Sequence, residues 1–330
     1  MGRVSEIRDP RPRRRRLLRV VVGLLVLLSV IGYFAVQRAS VGGGAPFCVA
    51  SADASGSDGE SEKYEMSPEQ AANAATIAAV GVAKGLPDRA VTIALATAMQ
   101  ESALRNLDHG DRDSLGLFQQ RPSMGWGTPE QITDPVYSAG IFYDHLVDVP
   151  GYSRLPLTVA AQKVQRSGFP QAYAKHEPDA TVLTAAFSGG GRLDCGGPAP
   201  TQPGDPEKVR EGLVRIFGKD GMHTFGPQGG QGGQAGRNGG GGRAVEEPEI
   251  TMMEKREAGE AATRRSRAMA HWAVANSREM GIARVSYDLR GWVAGKDRGR
   301  WQDKGDAGAK SGDGDPYGAA PGEVRIFMAR

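Results

Sequence analysis

The sequence predicts a mainly α-helical domain followed by a small α+β domain, both set behind one N-terminal transmembrane helix. Three observations carry this. The only long apolar run occupies Leu17 to Val36. Helix start and stop signals recur from Ser67 to Phe187, with no strong alternating strand pattern before residue 200. A Gly/Gln/Asn-rich stretch from Gly226 to Gly242 holds no large apolar residue, cannot bury a core, and reads as a tether. A chain of 330 residues has room for two modest domains, each with its own core.

In chain order, residues 1–16 read as a basic cytosolic tail and 17–36 as the anchor. Counted from Val20 to Val36, the run gives roughly 26 Å at about 1.5 Å per residue, just short of a bilayer core. Leu17 and Leu18 close the gap if Arg19 snorkels to the headgroups. Eight arginines fall within the first 19 residues. They keep the amino end in the cytosol and place the rest outside, at the cell membrane in single-pass form. A cleaved signal peptide is the competing reading, and both put residues from about 40 onward outside the membrane. The net charge is only +3 and the basic excess sits at one end, which argues against a nucleic-acid surface. Cys48 and Cys195 both fall in the exported part, where one disulfide closing a long loop is the economical pairing and two free thiols the alternative.

Residues 37–63 read as a flexible stalk, and 64–195 as the helical domain. Ser67-Pro68-Glu69-Gln70 is a good helix start, and Gly85 a stop. A second helix opens at Pro87-Asp88 and runs to about Leu104. Further helices are expected over Asp134–Val147, Leu157–Arg166 and Asp179–Phe187. Residues 196–247 read as a Gly-rich linker. The 248–330 region holds a predicted helix over Ala262–Met280, strand-like runs over Ala283–Tyr287 and Val324–Met328, and a long insertion over 302–322.

The second helix carries the candidate chemistry. Ala90, Ile93, Ala94, Thr97, Glu101 and Leu104 recur at three- and four-residue steps, so Glu101 lies on the inward stripe. A carboxylate there is paired with a cation, for which Arg105 and Arg121 are candidates, or its pKa rises. A Glu held protonated near neutral pH is what a general acid for glycosidic cleavage needs.

Glu101-Ser102 is followed by Ser114-Leu115-Gly116-Leu117-Phe118-Gln119-Gln120-Arg121-Pro122. This resembles the lysozyme-like lytic transglycosylase superfamily, in which a helix-borne Glu-Ser precedes Gly-Leu-(Met/Phe)-Gln and then Pro. Asn106 to Asp113, Gly125-Trp126-Gly127-Thr128 and Val164-Gln165-Arg166-Ser167 are similar to an actinobacterial branch of it. The resemblance spans roughly 64–195 and implies peptidoglycan cleavage between MurNAc and GlcNAc at the outer face of the membrane, without a cofactor. Glu101 would protonate the glycosidic oxygen. Gly116, Gln119 and Gln120 would shape the sugar floor, and Ser102 would tie the loop to its helix. Trp126 and Tyr137 are aromatic groups able to stack on a pyranose or to pack in the fold. A hydrolase needs a second carboxylate, for which Asp108, Asp111 and Asp113 are the candidates by proximity. Without one, the lytic route to a 1,6-anhydro product fits. The family's late Ala-Tyr-Asn-x-Gly motif is absent, the nearest string being Ala186-Phe187-Ser188-Gly189-Gly190.

Met269-Ala270-His271-Trp272-Ala273 and Ser286 to Trp292 resemble a small domain similar to the zinc-dependent D-Ala-D-Ala peptidase fold. Val324-Arg325-Ile326-Phe327-Met328 carries no metal ligand, so no metal site is expected and His271 reads as a surface or satisfied packing histidine. The expected partners are peptidoglycan, the membrane through the N-terminal helix and, by family analogy, a secretion or conjugation apparatus. The rival class is a non-catalytic peptidoglycan-binding or scaffold protein of a cell-envelope machine.

Overall fold

A computed structural model describes residues 45–52, 62–166, 170–219, 222–225, 249–253, 259–303, 319 and 322–330. Helix α1 (Pro68–Ala83) starts as its sequence dictates. Ser67 Oγ accepts from the Gln70 backbone at 3.3 Å, the Gln70 side chain accepts from the Ser67 N–H at 2.9 Å, and proline occupies the first turn. Ala71, Ala74, Ala75, Ala78 and Ala79 are buried along it, so other backbones can approach closely. Helices α2 (Asp88–Ser102), α3 (Pro129–Ile132), α4 (Pro135–Val147), α5 (Leu157–Gln165) and α6 (Glu177–Ser188) follow. Helix α2 ends where Ala103 and Leu104 turn to positive φ.

Two antiparallel sheets join these helices. The first has the order β2-β1-β3, from β1 (Phe47–Ser51), β2 (Lys63–Met66) and β3 (Arg192–Gly196). Cys48 stands opposite Cys195 in the β1–β3 ladder, and the two form a disulfide with a Cα–Cα separation of 4.1 Å. The second sheet contains β4 (Met222–Phe225), β5 (Glu249–Met253), β6 (Ile282–Tyr287), β7 (Arg290–Val293), β8 (Gln302–Asp303) and β9 (Glu323–Met328). Its order is β4-β5-β9-β6-β7-β8. Helices α7 (Pro206–Phe217), α8 (Glu260–Ala275) and α9 (Ser277–Met280) complete the chain.

The fold class is therefore corrected. Helices mix with two antiparallel sheets, and Ala45–Arg330 forms one compact unit rather than a helical domain with a separate α+β appendage. Helix α8 packs on α1 and α6, and the Trp272 indole donates to Thr76 Oγ1 at 3.2 Å. Among the described residues no helix is long and apolar enough to cross a membrane. The anchor expected over Leu17–Val36, the tether expected over Gly226–Gly242 and most of the insertion expected over 302–322 lie outside the described residues.

Strand β1 and the start of β2 occupy sequence read as stalk, and α7 and β4 occupy sequence read as linker. The composition of residues 37–63 hid β1, because a five-residue strand owes its stability to the ladders on both its edges. The predicted helix over Ala262–Met280 divides at Asn276. The turn between β6 and β7 uses Asp288 and Leu289, both at positive φ, without the glycine that would announce a hairpin. The segment after β3 passes against the chain just before β6, Gly204 against Gly281. A Cβ on Gly204 would lie 2.3 Å from the Gly281 carbonyl oxygen, so only glycine permits the contact.

His271 is neither on the surface nor satisfied. It is fully buried in α8, with Tyr287 and Trp301 edge-on at 5.7 and 5.6 Å. The Ala186 backbone comes near the ring, and neither ring nitrogen has a hydrogen-bond partner among the described residues. Burial, reinforced by the Arg267 and Arg290 charges, pushes the imidazole down to about 3.

Two outcomes follow from these contacts. The unfolded chain protonates His271 near 6.5, its ordinary value, and the folded chain only near 3. Acid therefore favours unfolding, and stability should fall by about 1.4 kcal/mol per pH unit as pH drops from 6.5 toward 3. In denaturant titrations at several pH values, His271→Leu should lose that share of the slope, and an unchanged slope would contradict the buried neutral ring. Separately, replacing Cys48 and Cys195 together by Ala should cost about 2–5 kcal/mol in urea unfolding, because the bridge spans 147 residues.

Candidate functional site

Glu101 sits one residue before the end of α2, half-buried on the inward stripe. The Tyr173 hydroxyl, itself buried, donates to Glu101 Oε1 at 2.6 Å, and the Gln165 side chain also hydrogen-bonds the carboxyl. Neither Arg105 nor Arg121 pairs with it. Arg121 Nε instead donates to Asp113 at 2.7 Å. Desolvation raises the Glu101 pKa, and the two hydrogen bonds partly oppose that rise. Of the two sequence readings of this carboxyl, the structure has the one without a cation.

The following loop is fastened to α2 from beneath. Ser102 Oγ donates to the Leu117 carbonyl at 2.8 Å as well as to Ala98 one turn back. Leu115 and Gln120 exchange backbone hydrogen bonds at 2.9 and 3.0 Å, which closes a tight turn through Gly116 and Gln119. Gly116 has φ +73°, and a Cβ there would come within 2.5 Å of the Ile132 carbonyl oxygen. Its N–H donates to the Leu107 carbonyl at 2.7 Å. Gln119 also has positive φ, and its amide donates to the carbonyls of His109 and Gly116. Gln120 is buried and donates to the Ser138 carbonyl at 3.1 Å.

Leu117 and Phe118 point into the core, where Phe118 stacks on Phe142 at 4.6 Å. Gln165 Nε2 donates to the Phe118 carbonyl at 2.7 Å. One amide thus ties α5, the loop and the Glu101 carboxyl together.

The remaining predicted residues stand elsewhere in the hydrogen-bond scheme. Asp113 receives the Ser123 backbone N–H and Arg121 Nε at 2.9 and 2.7 Å, and the Ser123 side chain and backbone, with Arg121, hold its carboxyl well below the usual carboxylate range. Asp108 is exposed and bound to the His109 ring at 2.8 Å, which also lowers it. Asp111 is exposed, and its carbonyl accepts from Ser114. Trp126 is half-buried against the His145 ring at 4.4 Å. Tyr137 lies under Gly127, where a Cβ would meet its hydroxyl at 2.8 Å. Among the described residues, no group of three His, Cys, Asp or Glu side chains is placed to hold a metal ion.

Sequence reasoning missed Tyr173. It lies in a short helical turn, Pro170–His176, where no periodicity marks an inward residue, and it reaches Glu101 across 72 positions. Gln165 stands inside a recognised motif, although nothing in its spacing assigns it to Glu101. His176 adds a 3.2 Å contact to Gln100 from the same turn.

No protein-family model matches the chain, and no curated protein matches it.

The Tyr173 bond favours the Glu101 carboxylate, so removing it should raise the carboxyl pKa further. In an NMR titration of side-chain-labelled glutamate, Tyr173→Phe should keep Glu101 protonated to higher pH than the parent does. A midpoint unmoved or lowered would mean that the hydroxyl does not bind the carboxylate in solution.

Proposed function

We propose that this protein cleaves the glycan strands of peptidoglycan between MurNAc and GlcNAc, on the outer side of the membrane, with Glu101 as general acid. The setting of Glu101 is the observation that carries the reading: a half-buried carboxyl at the end of α2, raised by desolvation and held by Tyr173 and Gln165 instead of a cation. A protonated acid in a partly dry site is suited to donate to a leaving glycosidic oxygen. The Glu101-Ser102 and Gly116 to Gln120 motifs that resemble the lysozyme-like transglycosylases surround it. The disulfide agrees with an oxidising compartment outside the cytosol.

The lytic route is the one the neighbouring carboxylates favour. Asp113 is committed to Arg121 and Ser123 and Asp108 to His109, so both are engaged in shaping the loop. Asp111 is exposed to solvent, without the burial that sets Glu101 apart. In that route Glu101 gives its proton to the glycosidic oxygen as the C1–O bond breaks. The resulting carboxylate then takes the proton of the sugar's 6-hydroxyl as that oxygen closes on C1, and a 1,6-anhydro end results. Tyr173 and Gln165 stabilise the carboxylate between the two transfers.

The test is to incubate the purified chain and its Glu101→Gln variant with sacculi and to analyse the soluble products by mass spectrometry. The parent should release anhydro-muropeptides, and the variant should lose about 10²–10⁴-fold in rate. Reducing-end products, lost in the same variant, would instead indicate a muramidase. Binding to sacculi without release from either protein would overturn the enzyme reading in favour of a wall-binding scaffold.

A further inference from the structure

The chain enters the described fold at Ala45-Pro46-Phe47, and exposed cations gather around that point. Pro46 packs on Gly197, where a Cβ would meet the proline at 3.0 Å. The Phe47 ring lies on Gly196 and is 41% exposed. Lys296, Arg298 and Arg300 stand on the turn after β7, whose Arg298 carbonyl also borders Gly196. Arg278 of α9 lines the same small recess as Pro46 and Gly295. All four cations are exposed, and none forms an ion pair among the described residues. Two carboxylates are near them. Asp297 is exposed within the turn, and Asp194 is half-buried, bound to Arg192 at 3.3 Å and to the Trp301 N–H at 3.2 Å.

This cluster does not follow from bulk charge. The whole chain carries +3, but its first 44 residues hold nine arginines against Glu6 and Asp9, so residues 45–330 together carry −4. Four unpaired cations around one point of a net acidic body are a local arrangement.

The turn also presents them from a fixed backbone. Asp297 and Arg298 have φ of +49° and +56°. Asparagine or glycine would close such a turn without strain, and arginine seldom adopts this conformation. Bracing comes from beneath. The Gly299 N–H donates to the Lys296 carbonyl at 2.7 Å, the Trp292 indole donates to the Gly299 carbonyl at 2.9 Å, and a Cβ on Gly299 would overlap the Cys195 carbonyl. The cations therefore need little ordering before they meet a partner.

We infer that this face, Phe47 ringed by Arg278, Lys296, Arg298 and Arg300, rests on an anionic phospholipid surface. The cations take the headgroup phosphates, and the Phe47 ring enters the interfacial layer. Eight residues, 37–44, separate Ala45 from the apolar run that ends at Val36, and a chain of that length reaches at most about 29 Å. With that run in the bilayer, the surface around the chain entry is the one within reach of the headgroups. An acidic wall polymer would also attract the cations, but the apolar ring at their centre favours lipid. The contact rests on the membrane location proposed above and involves no residue placed around Glu101.

The full chain in nanodiscs of phosphatidylcholine, with or without phosphatidylglycerol, provides the test. Both native cysteines are bonded to each other, so a fluorophore on Ala199→Cys, exposed beside Gly295, reports on this face alone. Its quenching by lipids with a nitroxide on the headgroup should rise several-fold when phosphatidylglycerol is present. About 1 M salt, where the screening length falls to about 3 Å, should abolish the rise. The triple variant Lys296→Gln, Arg298→Asn, Arg300→Gln should also lose it, with a thermal melt unchanged or higher because asparagine tolerates positive φ. Phe47→Ser should weaken the rise, and Glu101→Gln should leave it as in the parent. Quenching indifferent to lipid charge or to the triple variant would overturn the contact. Such indifference, joined to salt-sensitive binding to sacculi that the triple variant loses, would assign the cations to an acidic wall polymer instead. A chain not retained in the discs would sink the membrane location, and co-flotation with phosphatidylglycerol vesicles would then decide the face. Flotation of the parent but not of the triple variant would sustain it, and the same result for both would overturn it.

Discussion

Strand β3 lies at the edge of its sheet, and the structure is organised around covering that edge. In an antiparallel ladder the closely spaced, non-hydrogen-bonded pairs direct their own N–H and C=O groups away from the partner strand. Cys195 opposite Cys48 is such a pair, at 4.1 Å between Cα atoms, and Leu193 two residues earlier shares its orientation. Their carbonyls therefore face outward and need donors once buried. Those donors are indoles from the carboxy-terminal part: Trp292 Nε1 to Cys195 at 3.3 Å and Trp301 Nε1 to Leu193 at 2.8 Å. The Trp301 backbone N–H adds a bond to the Asp194 side chain. An edge strand left open would invite pairing with another chain. Here the same groups join the two halves of one core.

The helix that carries Glu101 inherits that arrangement. Once the second sheet is docked on β3, α8 lies against the alanine face of α1 and against α6, which in turn packs along α2. Arg264 of α8 reaches the start of α2, donating to Asp88 at 2.7 Å and to the Leu86 carbonyl at 2.8 Å. Ser188 of α6 donates to the same Asp88 carboxylate at 2.8 Å. Thr92 and Thr184 share a hydrogen bond at 2.9 Å between α2 and α6. The carboxy-terminal part thus supports the helix whose far end presents Glu101. The buried His271, whose protonation the fold resists, lies within this same docking layer.

The helices were legible because their ends are written in local chemistry. The Ser67 to Gln70 capping box, the Asp134 cap and the glycine at 85 placed three of them within a residue or two. The inward position of Glu101 followed from period alone. Strand β1 was not legible: Phe-Cys-Val-Ala-Ser gains its stability from partners 15 and about 145 residues away, and its flanks are the Gly and Ser that suggest a stalk. Helix α7 was hidden by the glycines around it, although Asp205-Pro206 is a proper start and Val209, Leu213 and Phe217 make its buried stripe. In the site, Ser102 and Gly116 act through backbone geometry that a motif preserves. Tyr173 acts through a long-range meeting of side chains, which no local pattern encodes.

What kind of acid Glu101 is depends on which groups were kept away from it. An arginine within contact would stabilise the carboxylate and lower its pKa, leaving nothing to donate near neutrality. The loop gives Arg121 another carboxylate, since Asp113 holds both that guanidinium and the Ser123 N–H. Asp113 therefore bears on Glu101 by engaging Arg121, one of its two sequence-predicted cations. Neutral donors remain, the Tyr173 hydroxyl and the Gln165 amide, and they moderate the desolvation without cancelling it. Such donors also suit the proposed reaction, in which this group would pass between acid and carboxylate. They steady the anion once it forms and do not prevent the proton from returning.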